Sequence, residues 1–462
     1  MRGWFLSLFF VFMSACTVGP EYVQPDIETP ESWSIDITAA EDLTDTAWWT
    51  RFGDPVLDSL VERAVRQNLD LKIAAARIDQ FIGQLEVANA EALPRVDGAL
   101  SIGTQRSGGQ SAESAQAALN VQWEIDLWGR VRRSNEAARA RLLASEAGRQ
   151  AVLMTLVSNV AGGYVTLRGL DRQLGIARQT ERAYAESLDL MRLRYDYGAI
   201  SQLELRQAES LLESARQAIP RFESLVRQQE NLLAVLLGDM PGTVPRGKEI
   251  DLLTPPGIPA GLPSTLLERR PDIRQAEQAL VAANAEIGVA KAAYFPTITL
   301  TGLLGSVSGE LGSLFSGGTG QSSLVGGIAA PLFNRGAIAG QVTQAESLQQ
   351  QSLLQYQQTV LNAFREVEDA LVKTTKGREE FAARQNQTRI LGDVAGLARL
   401  RFDGGTEDYL QVLDAERNLF SAQLGLVEKE VEVLRALIEV YKAMGGGWID
   451  TADRLGDAAK TG

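Results

Sequence analysis

The sequence predicts an α+β membrane protein. Four β-strands per chain join those of other copies in a barrel, long coiled-coil helices continue it, and one large unit occurs twice. Three observations carry this. Landmarks recur at a nearly constant spacing, apolar residues keep a 4,3 period over long stretches, and four segments alternate apolar with polar residues.

Asn68-Leu69-Asp70 and Arg270-Pro271-Asp272 lie 202 residues apart, and the same spacing relates Leu93-Pro94 to Phe295-Pro296. Leu127-Trp128-Gly129-Arg130 answers Leu332-Phe333-Asn334-Arg335, where a helix is expected to begin in both copies. RYDYGAISQLELRQAE from Arg194 matches RFDGGTEDYLQVLDAE from Arg401, pairing Asp196 with Asp403, Gly198 with Gly405 and Leu203 with Leu410. Landmarks kept in order over so long a span mark a duplication, with a period too long for a solenoid. Each copy reads helix, strand pair, very long helix, long helix.

In the first copy, Leu153, Val157, Val160, Tyr164, Leu167 and Leu174 follow the 4,3 spacing, with one polar slot at Asp171. In the second, Phe420, Leu424, Val427, Val431, Leu434, Ile438 and Tyr441 keep it throughout. A sustained period of 3.5 predicts coiled-coil packing. No proline occurs between Gly336 and Asp403, and a helix of that length extends about 100 Å. Pro220 is expected to kink its own helix, because its ring blocks a backbone bond. A cytoskeletal or adaptor coiled coil would share these rods, so the strands must decide.

From Leu119 to Leu127, LNVQWEIDL puts Leu119, Val121, Trp123, Ile125 and Leu127 on one face and four polar residues on the other. Val96, Gly98, Leu100 and Ile102 make a matching pattern, with a Ser/Gly/Gln-rich loop expected from Gly103 to Gln116. The second copy offers Ile298, Leu300, Gly302 and Leu304, then Leu324, Gly326, Ile328 and Ala330. All four are near the ~10 residues of a membrane β-strand. A soluble hairpin has the same alternation, but a scaffold protein needs no four such segments. Four strands leave open edges that hydrocarbon does not tolerate, and barrels close at about eight or more. More than one chain is therefore required, and a barrel continued by a helical tube implies passage through it.

Composition excludes other classes. The net charge is −13 with no histidine, which argues against a nucleic-acid surface. Without His, and with Cys16 as the one cysteine, the commonest zinc ligands and nucleophile–base pairs are missing. GGTGQSS at 317–323 has Gln321 where a phosphate loop requires lysine. No catalytic residue, metal or cofactor is expected. Arg2, an apolar run from Trp4 to Met13, and Ser14-Ala15 read as a secretory signal peptide, the run being too short to span a bilayer. Met13-Ser14-Ala15-Cys16 resembles a bacterial lipobox, in which the cysteine becomes the first residue and carries lipid such as palmitate.

The chain resembles the TolC-like outer membrane factors, in particular the OprM/NodT-type efflux lipoproteins. The likeness runs from Cys16 to about Met444. It rests on CTVGPEYVQP, WWTRFGDPVLDSLVERAVRQNLDL, LPSTLLERRPDIRQAEQALVAANAEIGVAKAAYFP and RFDGGTEDYLQVLDAER. It implies a homotrimer with a twelve-stranded outer-membrane barrel and an α-helical periplasmic tunnel, lipid-anchored in a Gram-negative cell. It further implies the exit duct of a tripartite pump, docked to a periplasmic adaptor and an inner-membrane RND-type transporter, passing drugs or other small compounds without chemistry.

The organisation expected is a signal peptide at 1–15, a lipidated segment at 16–50, a first repeat at 51–242 with its hairpin at 94–127, and a linker at 243–262. A second repeat follows at 263–444 with its hairpin at 296–332, then a tail at 445–462. By the resemblance, Gly198 and Gly405 sit at helix turns of the periplasmic tip and contact the adaptor; ordinary helix ends also use glycine. Asp414 matches the family aspartate at the closed tunnel mouth, with Leu410 one turn before it. Three copies would give a charged ring and an apolar ring; the alternative for Asp414 is a solvated helix face. Arg194 and Arg206 are candidate partners for Asp414. Some relatives carry a second aspartate where this chain has Gln411, which puts a two-ring acidic constriction in doubt.

Overall fold

The computed structural model describes residues 17–34, 47–108, 110–258 and 263–445; the expected signal peptide and Cys16 lie outside them. Helices α1 (Pro55–Gln67) and α2 (Leu69–Ala90) lead into strands β1 (Arg95–Ser107) and β2 (Gln110–Glu124), followed by α3 (Arg130–Asp196) and α4 (Gln202–Leu236). The order then recurs with α5 (Pro271–Ala292), β3 (Thr297–Ser308), β4 (Gly320–Ala329), α6 (Ala337–Asp403) and α7 (Tyr409–Ala443). Lengths match between copies: 22 residues in α2 and α5, 67 in α3 and α6, and 35 in α4 and α7.

The spacing is 202 from α2 to α5 but 207 from α3 to α6. Five extra residues of the second copy therefore lie between the start of β3 and the start of α6. One expected pairing changes as a result. Gly129 corresponds to Gly336 rather than Asn334, both having φ 83 immediately before their helices. Ahead of α3 the Asp126 carboxylate accepts from the backbone of Val131 (3.2 Å) and Arg132 (3.0 Å). Those donors have no partner inside the helix, which is why it starts there.

The described residues fall into two compact units. The first gathers those within 1–28, 75–148 and 272–359, and holds one sheet in the order β1-β2-β3-β4, antiparallel throughout. Residues directly opposite in such ladders point the same way. The register therefore carries one face from Leu100 through Ala117 and Ser306 to Gly320, and from Val96 through Val121 and Gly302 to Leu324. Val96, Leu100, Ile102, Leu119, Leu304 and Ile328 all fall on it and all are exposed, Leu100 at 66% and Ile328 at 75%. Asp97, Ser101, Asn120, Gln122, Thr301 and Ser323 share the other face. Among the described residues β1 and β4 have no strand on their outer edges.

The expected loop from Gly103 to Gln116 is instead strand. Ser107 pairs with Gln110, so the ladder runs up to the turn itself, which opens on Gly108 at φ 60. Cross-strand backbone bonds override the weak strand preference of these small polar residues.

The second unit gathers residues within 29–74, 149–271 and 360–462. Asp54 caps α1 by accepting from the Val56 amide at 3.0 Å, with Pro55 pre-set at the first helical position. The apolar stripe of α3 predicted by its spacing is buried without gaps from Leu153 to Leu167, against Trp48, Trp49, Leu57, Leu233 and Tyr441. Trp48 stacks on Tyr441 at 5.2 Å. Each fully buried Leu or Val in such a core contributes about 1.5–3 kcal/mol. Part of α3 is apolar and long enough to cross a membrane, but it is mostly buried, as in a core helix.

The polar slot at Asp171 is filled by ion pairs: Arg168 donates to it at 2.6 Å and Arg246 at 3.1 Å. Residues 243–258, expected to link the repeats, pack on this core through Val244, Ile250 and Leu253. α4 continues through Pro220 as one helix.

Candidate functional site

Both expected tip turns lie in the second unit and are built alike. At the end of α3, Gly198 has φ 72, its amide donates to Tyr195 O at 2.9 Å, and the next amide, of Ala199, donates to Arg194 O at 2.8 Å. At the end of α6, Gly405 has φ 70, with Gly405 N to Phe402 O at 2.9 Å and Thr406 N to Arg401 O at 3.0 Å. This is a Schellman closure, and its left-handed residue is glycine because a Cβ there is sterically costly.

The helices that leave the turns begin differently. Ser201 and Glu204 form a reciprocal capping box at the start of α4. At the equivalent positions of α7, Asp408 makes no side-chain cap bond and Gln411 stands in place of the glutamate. The second-copy turn therefore lacks a device worth about 1 kcal/mol.

Behind the turns lies a second core, where Tyr184, Leu188 and Met191 of α3 meet Leu211 and Leu212 of α4 and Tyr409 and Val412 of α7. Tyr409 and Val412 are buried. The other side of α7 presents Leu410, 52% exposed, then Asp414 and Arg417 at 4,3 spacing. Leu410 and Asp414 thus lie one turn apart on one exposed face.

Asp414 accepts from Arg417 of its own helix at 2.9 Å. Neither expected partner reaches it within the chain. Arg194 donates to Asp403 at 2.8 Å and lies over the Phe402 ring at 4.9 Å, while Arg206 pairs with Glu209 at 2.6 Å. Such exposed pairs are worth about 0–1 kcal/mol each.

Sequence reasoning missed Glu416, two residues on. It turns inward, its side chain 11% exposed, with Arg399 Nη1 at 3.2 Å. Arg399 also donates to Ser187 Oγ at 2.6 Å, and Tyr184 Oη donates to the Glu416 carbonyl at 3.1 Å. Burial pushes the Glu416 carboxyl above its usual value, with Arg399 opposing. Nothing in DAERN distinguishes this glutamate from a solvated one; only the inward phase set by Val412 and Ala415 could have pointed to it.

The profile of the family described as outer membrane efflux protein matches residues 60–239 and 262–446, one span per repeat. The chain is 33% identical to a Pseudomonas putida protein named "Probable efflux pump outer membrane protein TtgC", over 98% of this chain and 97% of that one. It is 33% identical to the "Probable outer membrane lipoprotein SilC" of Salmonella typhimurium, over 96% and 98%. The open-state structure of the Neisseria gonorrhoeae MtrE outer membrane channel superposes with a TM-score of 0.87 at 33% identity, over 94% of this chain and 99% of that one. Long paired helices with four antiparallel strands are the fold of these channels. The chain belongs to the outer membrane efflux protein family, and it is an efflux channel of the outer membrane.

Proposed function

We propose that the chain acts as a homotrimer whose twelve strands close one barrel, and that three copies of Leu410 and Asp414 narrow its periplasmic mouth at rest. The observation that carries the gate is the two-sided start of α7, with Tyr409 and Val412 anchored in the core and Leu410 and Asp414 left exposed one turn apart. The open outer edges of β1 and β4 support a barrel completed by other copies. A threefold axis brings the two side chains together as an apolar and a charged ring. The duct performs no chemistry: a periplasmic adaptor docks at the Gly198 and Gly405 turns, and an inner-membrane RND-type transporter drives export. The signal sequence and lipobox-like MSAC support a lipid on Cys16 that adds a second hold on the outer membrane.

Asp414 pairs with Arg417 of its own helix, a contact worth about 0–1 kcal/mol that ties down no second helix, so a docked partner can open the closure. Replacing Leu410 and Asp414 together by Ala raises single-channel conductance in planar bilayers and sensitises cells to vancomycin, while the trimer stays intact. A trimeric double variant that conducts like the unaltered protein would place the gate elsewhere. Cys16→Ser separately abolishes fatty-acid labelling in the native host; unlabelled unaltered protein would refute lipidation.

A further inference from the structure

Between α3, α6 and α7, within the second unit, lies a cavity of about 560 Å³, the size of a pocket for a drug-sized molecule. Tyr184, Phe381, Leu419, Phe420 and Leu426 give it an aromatic and aliphatic wall. Its polar groups are unevenly matched: Glu416, Glu430 and Asp251 are acidic, Arg172 and Arg399 basic. Glu416 Oε1 has Arg399 at 3.2 Å, while its Oε2 is buried with no hydrogen-bond partner among the described residues. A buried acceptor left open is costly, and a leucine or methionine here would serve packing better.

The cavity is also kept open where the helix could fill it. Gly396 of α6 lines it, and a Cβ added there meets nothing within 4 Å; at Gly392 a Cβ meets only Leu419 Cδ1, at 4.0 Å. Glycine in a helix interior is disfavoured relative to alanine, and no close approach of another element requires it at these two positions.

We infer that this cavity binds an organic monocation, its charged nitrogen against the Glu416 carboxylate and its apolar body against Tyr184, Phe381, Leu419, Phe420 and Leu426. Three acids against two arginines leave one negative charge for the ligand to neutralise, and aromatic faces favour a cation. Among the described residues no acidic group belongs to a cluster able to hold a metal ion, and the wall carries the aromatic and aliphatic side chains named above, so the cation is organic. The site lies between helices of one chain, and it stands independently of the gate formed by Leu410 and Asp414.

Protonation tunes it. Facing Glu416 are Arg399 of α6, Tyr184 of α3 and Tyr409 of α7; Arg172, Asp251 and Glu430 line the same cavity. Burial raises the Glu416 carboxyl, with Arg399 opposing, and also raises that of Glu430, with Asp251 adding and Arg172 opposing. Cation affinity therefore rises with pH as these acids ionise.

The test is ethidium binding to the full chain in lipid nanodiscs, followed by fluorescence anisotropy at several pH values. The expected result is one saturable site per chain, weakened at least tenfold by Glu416→Gln, abolished by Gly396→Phe and kept by Gly396→Ala. The anion 1-anilinonaphthalene-8-sulfonate should not compete. Oligomeric size and circular dichroism establish which variants are folded, and Glu416→Gln decides alone if Gly396→Phe misassembles. Absence of saturable ethidium binding, equal binding by Glu416→Gln, or competition by the anion would overturn the inference.

Discussion

The Glu230–Arg246 pair offers a sharp test of how the second unit is held together. Glu230 of α4 is 3% exposed in its side chain, and its Oε1 accepts from Arg246 Nη1 and from the Val244 amide at 3.4 Å. Its Oε2 accepts from Arg227 at 2.9 Å, but Arg227 is largely exposed. Burial alone would raise the Glu230 carboxyl; the Arg246 hydrogen bond and charge outweigh it and hold the group below its usual value. Arg246→Met removes the better-buried partner. Breaking a buried pair costs about 3–5 kcal/mol, and the remaining Arg227 contact, worth up to about 1 kcal/mol, reduces this to about 2–4 kcal/mol. Local opening of α4 should then become roughly 30- to 700-fold more frequent, at a factor of ten per 1.4 kcal/mol. Hydrogen exchange of the backbone around 226–236, corrected for intrinsic rates, reads this directly. The double variant Glu230→Met with Arg246→Met should return to within about 1 kcal/mol of the unaltered protein, because no lone charge is left buried: Asp171 loses Arg246 but keeps Arg168. The pH dependence has a definite sign. A depressed carboxyl stabilises above its unfolded value and loses that contribution as pH falls through the folded one. The gap between the single variant and the unaltered protein must narrow on acidification. A double variant as unstable as the single one, or a gap that widens at low pH, would refute the reasoning.

Two further outcomes test the sheet and the tip. Leu100→Arg places a charge on the apolar face and should cost about 2–4 kcal/mol of membrane insertion near the midplane, whereas Ser101→Arg, on the other face, should insert normally; heat-modifiable mobility of outer-membrane fractions distinguishes them. Ser201→Ala should loosen the start of α4 by about 1 kcal/mol, and Asp408→Ala should leave α7 nearly unchanged, as hydrogen exchange at the two turns will show.

Much of the fold was legible because duplication and period are properties of the sequence itself. Leu153 to Leu167 announced a buried stripe, and Leu119 to Trp123 announced a two-faced strand. The outer parts of β1 and β2 were not legible: between Gly103 and Ser114 the residues are small or polar, and only cross-strand pairing makes them strand. The shift of Gly129 onto Gly336 escaped because Leu-Phe-Asn-Arg imitates Leu-Trp-Gly-Arg two residues too early. At the helix turns, Gly198 and Gly405 were visible through their repeat, and the Asp414–Arg417 pair follows from helical spacing. Arg194 reaches Asp403 from 209 residues away, a contact that no local pattern encodes.

The matched helix lengths restrict how such a chain can change in evolution. One residue inserted early in α6 would turn everything after it by about 100°. That would carry Arg399 away from Glu416 and Phe402 away from Tyr409, a ring pair now 5.1 Å apart. Point substitutions are absorbed one side chain at a time, whereas a single-codon insertion would rephase a whole helix. The connections after β3 and after β4, within the stretch that already differs by five residues between copies, have no such phase to keep. Lineages that diverge from this chain should therefore vary in length at their hairpins and hold their rods to a fixed count.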